Sequence, residues 1–134
     1  MNTNIKTIEM KDRKVILSTL WIFAMFNYLY ADVFGLSFNP AAHSETLAMT
    51  QEAVLAFAIM MEIAIAMVLL SRFLKYGANR WANIIAGTIM TLVQISSLFV
   101  GTVPATYYLF FSVIEVACTA LIVWYAWMWT NPEA

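Results

Sequence analysis

Two carboxyl groups set the chemical question in this chain. Glu62 lies in QEAVLAFAIMMEIAIAMVLLSRF (51–73), ten positions from Glu52 on one side and from Arg72 on the other. Glu115 lies in YYLFFSVIEVACTALIVWYAW (107–127). Apolar runs of this length read as membrane-crossing helices. A carboxyl group inside one is costly, which makes it a candidate for function by default. With a rise of ~1.5 Å per residue, Glu62 falls about 18 Å and Glu115 about 15 Å below the outer helix ends. Both depths are near the middle of a hydrocarbon core about 30 Å thick. Asn27 and Gln94 fall nearer the outer side, and Asp32 and Glu52 close to the surface. These six residues are the candidate binding or proton-relay set. No Lys, Arg or His is deep enough to pair with either glutamate. An ionised carboxylate at that depth costs at least ~3 kcal/mol. At neutral pH at least one of the two is therefore expected to be protonated, or a cation to sit between them.

The same residues also have a plainer reading. Protonated Glu62 and Glu115 could hydrogen-bond to Asn27, Gln94, Thr91 or Ser112 and hold the helices together, as polar residues do between membrane helices. Asp32 and Glu52 form either an acidic, cation-attracting mouth or ordinary solvated helix ends. Tyr28, Tyr30 and Tyr108 could line a cation–π site, although interfacial belts and packing account for most such aromatics. His43 reads as a solvated loop residue and Cys118 as a packed small one. The chain has one cysteine and one histidine, no zinc-type cluster, no CxxC and no glycine-rich phosphate loop. No cofactor, no metal and no nucleic acid is expected, and no nucleophile–base pair points to an enzyme.

The elements that must position this set follow from composition. Of 134 residues, 63% are hydrophobic and 11% charged, whereas a soluble domain carries about 25% charged residues. Lipid can absorb that much apolar surface and a soluble core of this size cannot. The expected fold is all-α: an integral membrane four-helix bundle behind a polar lead at 1–14. The transmembrane domain spans 15–130, with helices at about 15–36, 50–73, 81–100 and 106–129. The apolar stretch after the lead is too long for a signal-peptide core and predicts an uncleaved anchor.

In the first helix Ala24, Asn27, Tyr28, Ala31, Asp32 and Gly35 share a side, opposite Ile22, Phe26, Leu29 and Val33. In the second, Gln51, Leu55, Ala58, Glu62, Ala66 and Leu69 share a face. In the third, Asn83, Gly87, Thr91, Gln94, Ser97 and Gly101 form the best defined stripe, a helix–helix seam of small and polar residues. In the fourth, Tyr108, Ser112, Glu115, Thr119 and Ala126 align. Asn39-Pro40 breaks the chain in a loop over 37–50. The stretch 75–80, with Gly77, reads as a tight turn, GTVPA (101–105) as a second loop, and Asn131-Pro132 as the stop of the last helix. All seven basic residues, Lys6, Lys11, Arg13, Lys14, Arg72, Lys75 and Arg80, lie in the lead or around the second turn. The positive-inside rule then places both termini in the cytoplasm.

Three stretches are more specific than generic membrane sequence: LSTLWIFAMFNYLYADVFGL (17–36), MEIAIAMVLLSRFLKYGANRWANIIAG (61–87) and YYLFFSVIEVACTALIVWYAW (107–127). They resemble a bacterial family of small four-helix membrane proteins, a domain of unknown function of YoaS type. The resemblance runs from Leu17 onward. It implies the same fold and topology and carries no activity. Some members have proline soon after the helix 2 glutamate, where this chain has Ala64, so a helix 2 kink does not carry over from the resemblance.

The function expected is that of a multi-pass protein of the inner or plasma membrane, a small proton- or cation-linked carrier using the two glutamates. The alternative is a structural, regulatory or lipid-binding membrane protein whose polar core specifies packing. The expected partners are the lipid bilayer, a second copy in a homodimer, and a small cationic or polar solute. The third-helix seam could pack within the chain or across that dimer.

Overall fold

The computed structural model of the chain describes residues 2–101 and 103–131. Thr102 and Pro132, assigned above to a loop and a helix stop, lie outside them. The described residues form five α-helices and no strand: α1 (Thr3–Phe38), α2 (Pro40–Leu47), α3 (Gln51–Phe73), α4 (Tyr76–Ser97) and α5 (Thr106–Trp127). Three of these, α1, α3 and α5, are long and apolar enough to cross a membrane. Such a location is compatible with the fold. α4 has the length, but its many polar residues keep it below that hydropathy.

The boundaries differ from expectation in three places, each for a local reason. The polar lead is not separate from the first helix. The helix begins at Thr3, with the Asn2 side chain accepting from Asn4 N, and runs 36 residues without a break. The expected loop over 37–50 contains α2. Asn39 does not merely break the chain: its side chain accepts from the N–H groups of Ala41 and Ala42, and Pro40 opens the next helix. Asn at the N-cap and Pro at N1 are strong helix starters, and His43 consequently sits exposed on a helix. The tight turn expected over 75–80 shrinks to Leu74–Lys75, because α4 already begins at Tyr76 and takes Gly77 into its first turn. α3 passes through Ala64 without interruption.

The four long helices pack as neighbours in a ring: α1 on α3 and α5, α4 on α5 and, more lightly, on α3. The interior combines small and polar side chains with few large ones. Ala24, Ala64, Ala86 and Ala126 are buried with Trp21, Tyr28, Met90 and Ile122, beside Ser18, Ser71, Asn79, Asn83, Gln94, Ser112, Glu115 and Thr119. The exterior is the reverse. Phe23, Phe26 and Leu29 on α1, Val54 and Ile59 on α3, Ile85 and Leu92 on α4, and Phe110 and Val113 on α5 all point outward. Water would penalise such a surface; lipid rewards it, and small residues inside let helices approach closely.

One end of the ring is closed by a polar hub that local periodicity did not signal. Asn83 Oδ1 accepts from Trp21 Nε1 at 2.8 Å and from Ser71 Oγ at 3.2 Å, while Asn83 Nδ2 donates to Asn79 Oδ1 at 2.7 Å. Asn79 Nδ2 donates to the Ser71 carbonyl at 2.7 Å, and Ser18 Oγ to that of Val68 at 2.8 Å. α1, α3 and α4 are thereby locked in register at the α3–α4 turn. At the same end two arginines from distant parts of the chain finish α5. Arg13 donates to the Tyr125 carbonyl and stacks on that ring, and Arg80 donates to the carbonyls of Ala126 and Trp127. A helix C-terminus leaves carbonyls without intrahelical partners and carries partial negative charge. α5 has no basic residue in its own last turn, so α1 and α4 supply the cations.

Candidate functional site

The site is built toward the opposite end of the ring, where residues of α1, α3, α4 and α5 line a common cavity. α4 and α5 are held there by three interhelical side-chain contacts. Thr91 Oγ1 donates to Thr119 Oγ1 at 2.7 Å, Gln94 Nε2 donates to Ser112 Oγ at 2.7 Å, and the hydroxyls of Ser97 and Tyr108 lie 2.8 Å apart. This is the part of the stripe read from the sequence that closes within the chain against α5, with Gly87 and Gln94 buried along it, whereas Asn83 turns to α1 and α3 and Gly101 lies exposed beyond the end of α4. Glu115 lies between Ser112 and Thr119 on the same face of α5 and is 1% exposed. Thr119 Oγ1 also donates to the Glu115 carbonyl at 3.0 Å, so the backbone beneath the acid is fixed.

The Glu115 side chain reaches past this seam into a cavity of ≈ 100 Å³. Its Oε1 is buried without a hydrogen-bond partner, and so is the Tyr28 hydroxyl of α1. Both residues line the same cavity, together with Asp32, Gln94, Ser97 and Tyr108. Buried polar atoms are almost always satisfied. Two unsatisfied ones on residues that line one cavity make this the place where the fold leaves hydrogen-bonding capacity open. The remaining wall is Phe57, Met60, Met61, Met90, Val93 and Ala31. A second chamber of ≈ 330 Å³ shares Ala31, Asp32, Phe57 and Tyr108 with the first and extends beneath α2 to Met49 and Val54. The two form one cleft, with Asp32 at their junction.

Of the six candidates, Glu115, Gln94 and Asp32 come together here. The other three do not. Glu62 is exposed on the outer face of α3, so the expected pairing of Glu62 with Glu115 is replaced by Glu115 alone. The reason is the rotation of α3. Its buried residues are Ala64, Met67 and Ser71, and Glu62 is about 200° from Ala64 around the helix axis. Gln51, Leu55, Ala58 and Leu69 of that stripe are exposed with it, and Ala66 is half-buried. Asn27 is half-buried and donates to the Phe23 carbonyl of its own helix at 2.8 Å. Glu52 is exposed in the first turn of α3 and lines neither chamber, so the acidic mouth reduces to Asp32. Tyr28 and Tyr108, weighed above as cation–π residues, are both in the cavity wall; Tyr30 is exposed. Phe57 and the three methionines carry no polar signal, and sequence reasoning missed them. The one available sign was the i, i+3 spacing of Phe57, Met60 and Ile63. Among the described residues no group of three His, Cys, Asp or Glu side chains is placed to hold a metal ion.

The two glutamates are expected to behave differently. Glu62→Leu removes an outward carboxyl and leaves an apolar neighbourhood intact, so its unfolding free energy in detergent should stay within about 0.5 kcal/mol of the parent. An SDS-titration midpoint measures this, and a loss comparable to a core substitution would place Glu62 inside the fold after all.

No curated protein and no solved structure matches the chain significantly. At the level of families the outcome is different: residues 5–134 match the Family of unknown function (DUF6326), and the chain belongs to that family.

Proposed function

We propose that the protein is a multi-pass component of the cell membrane in which α1, α3, α4 and α5 all cross, as in the YoaS-type four-helix resemblance, with both termini cytoplasmic. α4 is included because its polar residues face α1, α3 and α5 while Trp81, Ile85, Ile89 and Leu92 face outward, which gives it a lipid face like the others. The orientation rests on Arg13 and Arg80 converging on one end of the ring and on the positive-inside rule. α1, about 54 Å long at its 36 residues, then projects its basic first turns into the cytoplasm.

Within that membrane protein the cleft is the ion site of a small proton- or cation-linked carrier, with Glu115 as its acid. The observation that carries this is the pair of unpartnered buried atoms, Glu115 Oε1 and Tyr28 Oη, on one cavity. A carboxyl serving as packing glue would be hydrogen-bonded to its neighbours; here Gln94 and Ser112 bond to each other and leave Glu115 out. The packing role belongs instead to the hub at Asn83 and to the α4–α5 seam. A homodimer is part of the proposal: a mid-span carboxyl at Glu62 is costly against lipid, and a second copy covering that face of α3 would relieve it.

The test is flux. Glu115→Gln in liposomes is expected to lower pH-driven cation or solute movement by at least about 100-fold, as expected for loss of the proton-exchanging group, with an unchanged SDS-titration midpoint. Undiminished flux in this variant would end the carrier reading, and a parent protein without flux would favour a purely structural one.

A further inference from the structure

The geometry points to an amphiphilic organic cation as the occupant of this cleft: an ammonium ion carrying an aryl or alkyl body, its nitrogen between Asp32 and Glu115. The inference rests on the cleft being the ion site proposed above and adds the chemical class of what it takes. Three properties of the walls select that class. The first is sign. The ionisable residues in the lining are Asp32, Glu115 and tyrosines, and neither chamber is lined by Lys, Arg or His. An anion would meet a carboxyl with nothing to offset it, and a zwitterionic lipid headgroup would find no partner for its phosphate.

The second is softness. A bare metal cation wants a shell of about six oxygens. Away from the two acids the inner chamber offers aromatic faces at Tyr28, Phe57 and Tyr108 and thioethers at Met60, Met61 and Met90. Alkylated ammonium ions are held by aromatic faces, and methionine adapts to irregular apolar shapes. The third is shape. The inner chamber of ≈ 100 Å³ approaches the size of a cavity of about 150 Å³ that takes benzene, room for a methylated ammonium head. The outer chamber of ≈ 330 Å³ is walled by Leu36, Met49, Val54 and Phe57 and can receive the apolar body. Asp32 belongs to both chambers, where head and body would join.

The full-length protein in nanodiscs can be titrated calorimetrically with benzyltrimethylammonium and with its uncharged carbon isostere, neopentylbenzene. Saturable binding of the cation is expected, with the isostere at least about ten-fold weaker. Glu115→Gln and Asp32→Asn should each weaken the cation by about ten-fold or more and leave the isostere unchanged. Asp32 is exposed, so Asp32→Asn remains informative even if Glu115→Gln disturbs folding. Equal binding of cation and isostere, or cation binding indifferent to Asp32→Asn, overturns the inference. Proton-linked flux of inorganic cations with no binding of the organic one overturns it while leaving the carrier reading intact. Binding without flux upholds it and removes the carrier reading.

Discussion

Replacing Asn83 with leucine is expected to lower the unfolding free energy by about 3 kcal/mol. The side chain is fully buried and serves three partners on three helices. Its loss leaves the Trp21 indole N–H and the Ser71 hydroxyl without their acceptor and Asn79 Oδ1 without its donor. Each such bond is worth roughly 1 kcal/mol, and less where lipid-exposed states find other partners. Trp21→Phe removes only one of the three and should cost about 1 kcal/mol plus a small packing change. Because the two residues are in contact, their effects should couple. The double variant is expected to fall short of additivity by about 1 kcal/mol. SDS-titration midpoints of the four proteins measure the cycle. Strict additivity would mean that the Trp21–Asn83 bond does not exist in the folded protein. A further contrast is expected in ligand binding: Asn83 lies at the arginine-bearing end, so destabilised but folded Asn83→Leu protein should still bind at the cleft.

The second large effect is expected at Gly87. A Cβ built there would lie 2.7 Å from Val123 Cγ2 and 3.4 Å from the Thr119 carbonyl oxygen. Val123 is β-branched and stiff, and the carbonyl belongs to the α5 backbone, so neither neighbour yields easily. Gly87→Ala should therefore cost about 1 kcal/mol or more despite alanine's better helix propensity. Gly87→Leu should cost about 3 kcal/mol or more by forcing α4 and α5 apart. The separation would also stretch Thr91–Thr119 and Gln94–Ser112, the contacts that seat Glu115. Loss of stability and loss of ligand binding are thus expected together at Gly87, whereas they separate at Asn83. Gly77, with nothing near its Cβ direction, is the control: Gly77→Ala should be neutral or slightly stabilising as judged by the same midpoint. An unaffected Gly87→Leu protein would mean that the α4–α5 approach is looser than 2.7 Å implies.

How far the site was readable residue by residue follows from how strongly each helix is two-faced. α4 mixes glycine, hydroxyl and amide residues on one side with large apolar ones on the other, so Gly87, Thr91 and Gln94 announced the seam, and Asn83 an inward face whose partners on α1 and α3 the pattern did not name. α5 did nearly as well, and Ser112, Glu115 and Thr119 are all buried on one face. α1 placed Tyr28, Ala31 and Gly35 correctly. α3 misled, because it is almost uniformly apolar and Glu62, its one mid-helix acid, looked like an inward marker. Nothing local distinguishes Ala64 from Ala66 or Met61 from Met67 as the buried neighbour.

The residue pattern alone carried the helical class, the apolar exterior, the confinement of basic residues to two segments and the composition of the α4–α5 seam. These depend on period and polarity, which are properties of a segment. The rotation of α3, the isolation of Glu115 from Glu62, the hub around Asn83 and the cleft shared by Tyr28, Asp32 and Glu115 came from packing. α3 turns to the angle at which Ser71 reaches Asn83 and the Val68 carbonyl meets Ser18. That angle is set by partners on α1 and α4, whose distance along the chain no local periodicity encodes.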